Sequence, residues 1–163
     1  MNALVIDAEA ALALVADGPG RAKVRTAIRD RIVRGDRILV PAVFWPQLID
    51  GLVRRHVSRP DALVEAVYEL EQLGIETAEV GRPGILALVD AVGRGVAAAD
   101  AAYLVLAEAA AADLVTGSPE LAAIAGSRST LVRGRRAAAP RPNRSWARWK
   151  GAAAYLRELR ASL

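Results

Sequence analysis

At 163 residues, 53% of them hydrophobic, the chain is long enough to bury a real core as one domain. Cysteine is absent, which excludes a disulfide framework and a thiolate metal site and suits a reducing cytosol. The net charge of +4 conceals an asymmetry: from Ser127 onward there are ten basic residues and one acid, Glu158, whereas the chain before it carries 12 basic and 17 acidic residues.

The pattern "ALVI" at 3–6 predicts a first strand, followed by helices over 8–16 and 20–34. "RILV" at 37–40 predicts a second strand, with helices over 44–56 and 61–73 behind it. "IETAEV" at 75–80 reads as a third strand, leading to helices over 83–92 and 99–112. "DLVT" at 113–116 and "TLVR" at 130–133 read as the fourth and fifth strands, with a helix over 119–125 between them. Strands that are apolar throughout and separated by helices imply an α/β fold, a central parallel sheet of about five strands between two helical layers. There is no internal repeat. The longest apolar runs are broken by charge well short of a bilayer's span, and the N-terminus lacks a signal peptide's basic flank and cleavage site. The expectation is a soluble, cytoplasmic protein with no membrane contact.

The Pro-rich "APRPN" divides a domain over 1–137 from a basic linker and C-terminal helix over 138–163. On that helix Trp146 and Trp149 share one face, with Leu156 and Leu159 further along, a stripe suited to docking on the same domain or on a dimer partner. Phosphate binding by Arg133, Arg135, Arg136, Arg141 and Arg144, with bases stacked on the tryptophans, is the alternative for the same segment.

In a parallel sheet, helices that follow strands start at the carboxyl edge, where open α/β sheets bind ligands. Asp7 follows the first strand, Gln47 and Asp50 open the helix after the second, and Ser118 follows the fourth. Asp100 heads the helix that descends into the fourth strand, so it belongs to the same edge. Each has a plainer role open to it: Asp7 and Asp100 stand where an N-cap is wanted, and Ser118 followed by Pro119 is an ordinary cap with a first-turn proline. Two acids meeting at one edge repel, and a divalent cation is a natural way to keep both ionised. His56 follows two arginines late in a helix and reads as a surface group.

In order and separation, "LVIDAEAALALV", "VPAVFWPQLIDGLVRR", "AADAAYLVLAE" and "LVTGSPELAAIAG" resemble a PIN domain of the VapC-like toxin group, over about Leu4 to Gly126. The resemblance implies a small α/β/α ribonuclease, the toxin of a toxin–antitoxin pair, that cuts RNA with Mg²⁺ or Mn²⁺ held by acids. It further implies a homodimer and a cognate antitoxin. The family's first and third acids fall on Asp7 and Asp100, while its Glu falls on Gln47 and its last Asp on Ser118. These four are the catalytic candidates. Glu9 stands where the family has a small hydroxyl residue, and makes a third metal candidate beside Asp7 and Asp100. Asp50 and Glu120 are acids close by in sequence, but one helical turn displaces a carboxylate by about 5 Å.

Mg²⁺ accepts one or two carboxylates with waters completing its octahedron, so Asp7 and Asp100 suffice for one ion and not for two. Two functions follow. One is a metal-dependent endoribonuclease weakened by the loss of two acids, or repaired through Glu9. The other is a catalytically inactive module of the same fold that binds RNA or a protein partner.

Overall fold

The computed structural model describes residues 2–15, 19–55 and 60–132. The readings made for 133–163, including the linker and the last helix, lie outside the described residues. Five strands are present: β1 (Ala3–Ile6), β2 (Arg37–Val40), β3 (Ile75–Thr77), β4 (Asp113–Thr116) and β5 (Ser129–Leu131). The helices are α1 (Ala8–Val15), α2 (Pro19–Val33), α3 (Phe44–Arg55), α4 (Pro60–Glu71), α5 (Arg82–Gly93), α6 (Ala98–Ala109) and α7 (Pro119–Ala125).

All pairings are parallel, in the order β3-β2-β1-β4-β5. β1 is therefore central and apolar on both faces, with Leu4, Val5 and Ile6 buried. Helices α1 to α4 pack with one another, and α6 packs with α5 and α7, which completes the three layers expected from the sequence. The chain builds one half of the sheet through β2 and β3, then crosses to build the other through β4 and β5. The switch falls between β1 and β4, whose carboxyl ends open a crevice.

Two strands differ from their sequence limits. β3 ends at Thr77 rather than at residue 80, because its only partner ends: Ala78 N–H reaches Val40 O at 2.9 Å, and Pro41 then offers no amide to extend the ladder. β5 runs over 129–131 rather than 130–133, pairing with β4 from Ser129 onward.

At the amino edge Arg31 of α2 joins three segments, donating to Ala3 O at 3.1 Å and Asp113 Oδ2 at 2.7 Å while its Nε lies 3.1 Å from Asp36 Oδ2. At the carboxyl edge the start of α3 is fixed by buried Phe44 and by Trp45, whose indole N–H donates to the Thr77 hydroxyl at 2.9 Å. Pro46 is tolerated there because the first amides of a helix have no intrahelical partner. This anchoring holds Gln47 over the sheet. α5 is different: it is largely apolar, yet only Ala91 is buried, and Ile85, Leu86, Val89 and Val92 lie in the open.

Leu48 of α3 is fully buried and Val89 of α5 is 66% exposed. Leu48→Ala is expected to cost about 2–5 kcal/mol in urea unfolding, through lost transfer energy and a cavity. Val89→Ala should stay within about 0.5 kcal/mol of the parent in the same measurement.

Candidate active site

Asp7 stands at the carboxyl end of β1 and is 4% exposed. Its N–H bonds Val115 O at 3.0 Å, continuing the ladder with β4. Its carboxylate is gripped by three donors. Ala10 N–H gives to Oδ1 at 2.6 Å, which makes Asp7 the N-cap of α1. The Thr116 hydroxyl gives to Oδ2, and Gly117 N–H is shared between both oxygens at 3.1 Å. The plainer capping role of Asp7 is thus present, and it coexists with a bridge to β4. Burial pushes the carboxyl up from 3.8 to about 6; the bonds from Thr116, Ala10 and Gly117 pull it down, and the charge of Glu9 adds slightly to the rise.

Asp100 does not cap its helix. The N-cap of α6 is Ala97, which offers no side-chain bond, and Asp100 lies inside the first turn. A carboxylate there gains from the helix dipole. Half-burial holds its carboxyl above the usual range, and the charge of Glu120 adds to this. Neither Asp7 nor Asp100 forms an ion pair with an arginine or lysine among the described residues.

Tyr103, one turn beyond Asp100, is buried at 1% exposure and ties the edge together. Its hydroxyl donates to Gln47 Oε1 at 2.7 Å. Burial holds this phenol protonated, followed by the charges of Asp7 and Asp100, with the nearby Ala8 amide acting in opposition. One hydroxyl therefore bonds Gln47 and feels the charge of both aspartates.

Ser118 is the N-cap of α7: its Oγ accepts Leu121 N–H at 3.2 Å and lies 3.2 Å from Glu120 Oε2. Its own N–H bonds the Thr116 hydroxyl at 2.9 Å. Glu9 is exposed and lies over Gly117, where an added Cβ would fall 2.6 Å from Glu9 Cβ and 3.1 Å from its Oε2. Asp50 pairs with Arg54 on the exposed face of α3. Among the described residues, no three acidic or histidine side chains gather as a metal-binding cluster.

Residues 4–127 match the family model for the PIN domain. The chain belongs to the PIN domain family. PIN domains form a nuclease superfamily whose members generally depend on divalent metal and bind RNA, often alongside antitoxin partners. This PIN domain is also similar in fold to the crystal structure of PAE2754 from Pyrobaculum aerophilum. The TM-score is 0.57, at 22% identity over 80% of this chain and 91% of that one. No curated protein matches it. No helix among the described residues is long and apolar enough to cross a membrane.

Thr116, Gly117 and Tyr103 were not singled out by sequence reasoning. Thr116 had a usable signal, since a hydroxyl ending the strand beside β1 must lie next to Asp7. Tyr103 is three residues from Asp100, on the same helical face.

The raised Asp7 carboxyl makes stability depend on pH. The unfolded chain ionises near 3.8 and the folded one near 6, so Asp7 costs nothing below about pH 4 and up to about 3 kcal/mol above about pH 6. Urea unfolding in metal-free buffer should show stability falling as pH rises through this window, with Asp7→Asn lacking that slope.

Proposed function

We propose that this PIN domain is a VapC-like endoribonuclease, the toxin of a toxin–antitoxin pair, working in the cytoplasm with one divalent ion. The observation that carries the reading is Asp7 at the carboxyl end of β1 and Asp100 in the first turn of α6, whose charges both act on the Tyr103 hydroxyl and which are both held above the ordinary carboxyl range with no arginine or lysine paired to them among the described residues. The group missing from such a pair is a positive charge.

The donor set suits a hard cation. Among the described residues it offers carboxylate oxygens and no sulfur or imidazole, which favours Mg²⁺ or Mn²⁺ over zinc. Asp7 and Asp100 would hold the ion; Glu9, the third metal candidate, lies over Gly117 and does not gather with them into a cluster of three acids among the described residues. Once bound, it would activate water and offset the charge that develops on the phosphate. The protein's own residues do the positioning. Ala10, Thr116 and Gly117 fix the Asp7 carboxylate, Tyr103 fixes Gln47, and Ser118 starts α7 beside them. With Gln47 and Ser118 where the family has acids, the site lacks the charge to hold a second ion.

One feature favours the second reading, a catalytically inactive PIN module that binds RNA or a protein partner: the Asp7 oxygens already accept every bond that Ala10, Thr116 and Gly117 offer. The two readings part in one experiment. Incubated with Mn²⁺ and a mixed RNA pool, the parent should cleave, and Asp7→Asn and Asp100→Asn should each lose at least about 100-fold in rate, while Ser118→Asp should gain. Equal products from the parent and both Asn variants would leave the binding module.

The homodimer and antitoxin implied by the family are part of this proposal. The open apolar face of α5 at Ile85, Leu86, Val89 and Val92 supplies surface for a second copy. Leu86→Glu combined with Val89→Glu should shift the sedimentation coefficient to that of a monomer; an unchanged value would move the interface elsewhere.

A further inference from the structure

Gln47 occupies the position where the resemblance leads one to expect a glutamate ligand, and its surroundings decide which end of its amide is available. The Tyr103 hydroxyl beside it has one proton to give and two lone pairs. That proton goes to Gln47 Oε1 at 2.7 Å. Asp7 and Asp100 act on the phenol through their charge alone, and neither accepts its proton. Turning the amide over would set an N–H donor against the phenol in place of its acceptor, and would leave the buried phenolic proton without Gln47 Oε1. That penalty is about 1–3 kcal/mol for a buried hydroxyl.

The amide is therefore held with its oxygen on Tyr103. Its Nε2, with two N–H donors, bonds no protein group among the described residues. The half-buried side chain thus keeps its positive end for something other than protein. Cations are bound by lone pairs and anions by N–H donors. Beside two aspartates that pair with no arginine or lysine among the described residues, such a donor would attract a phosphate.

We propose that Gln47 contacts a non-bridging phosphate oxygen of the nucleic-acid strand through Nε2 and does not coordinate the cation, with Tyr103 as the positioning residue that fixes the amide. This rests on the RNA reading above. It inverts the polarity of the site at one position, replacing a ligand for the ion by a donor for the substrate.

The test measures binding rather than turnover. A fluorescein-labelled single-stranded RNA of mixed sequence is titrated in EDTA by anisotropy, and Mn²⁺ is titrated without RNA by calorimetry. Gln47→Met, similar in length but without donors, should weaken RNA binding about tenfold and leave Mn²⁺ affinity unchanged. Gln47→Glu should weaken RNA binding further, because a carboxylate repels phosphate, while strengthening Mn²⁺ binding. Tyr103→Phe keeps the amide but frees it, so a smaller loss of RNA affinity is expected with Mn²⁺ binding retained. Circular dichroism and thermal melting confirm that each variant is folded. Weaker Mn²⁺ binding by Gln47→Met, or RNA affinity equal to the parent's, would overturn the inference and leave the RNA reading standing. No RNA binding by the parent would overturn both.

Discussion

The pairing of β1 with β4 is the contact on which the rest of the molecule depends. It joins the two halves of the sheet at the point where strand order reverses, and its register sets Ile6 beside Val115. One step further, the ladder passes from backbone to side chain: Asp7 N–H still bonds Val115 O, while the Asp7 carboxylate takes the Thr116 hydroxyl and the Gly117 amide. The same carboxylate caps α1. A buried acid is costly unless it is well bonded, and here the bonds come from the first turn of α1 and from the end of β4 with the turn that follows it. Burial still outweighs them, which is why the carboxyl remains raised.

Gly117 shows how little room this junction leaves. Its amide serves Asp7, and the space where a side chain would project is filled by Glu9. Glu9 thus reaches from α1 across to the β4–α7 turn, the place where the resemblance sets the family's last aspartate against Ser118 of this chain. The negative charge absent from one side of the gap is present on the other, although no cluster of three acids results among the described residues.

Much of the fold was legible in the sequence because parallel strands buried on both faces must be apolar there, as "ALVI" and the "ILV" that follows Arg37 are. Edge strands were less so. The length of β3 depends on where β2 stops, which "IETAEV" alone does not carry. At the site, residues fixed by their place after a strand could be read, as Asp7 and Ser118 were. Asp100 was placed at the right end of its helix but not in the right position, since capping depends on backbone angles at Ala97 rather than on which polar residue comes first. Tyr103 was hidden because its function lies in its hydroxyl, and an aromatic residue in an apolar helix otherwise reads as core.

The two aspartates are unequal witnesses in any genetic dissection of this domain. Asp7 is both a structural tie and a candidate ligand for the proposed ion, so a phenotype at that codon would mix abundance with any chemistry there. Asp100, which caps no helix and bridges no strands, can be neutralised with little harm to the scaffold. A null allele meant to separate presence of the protein from its action belongs at residue 100.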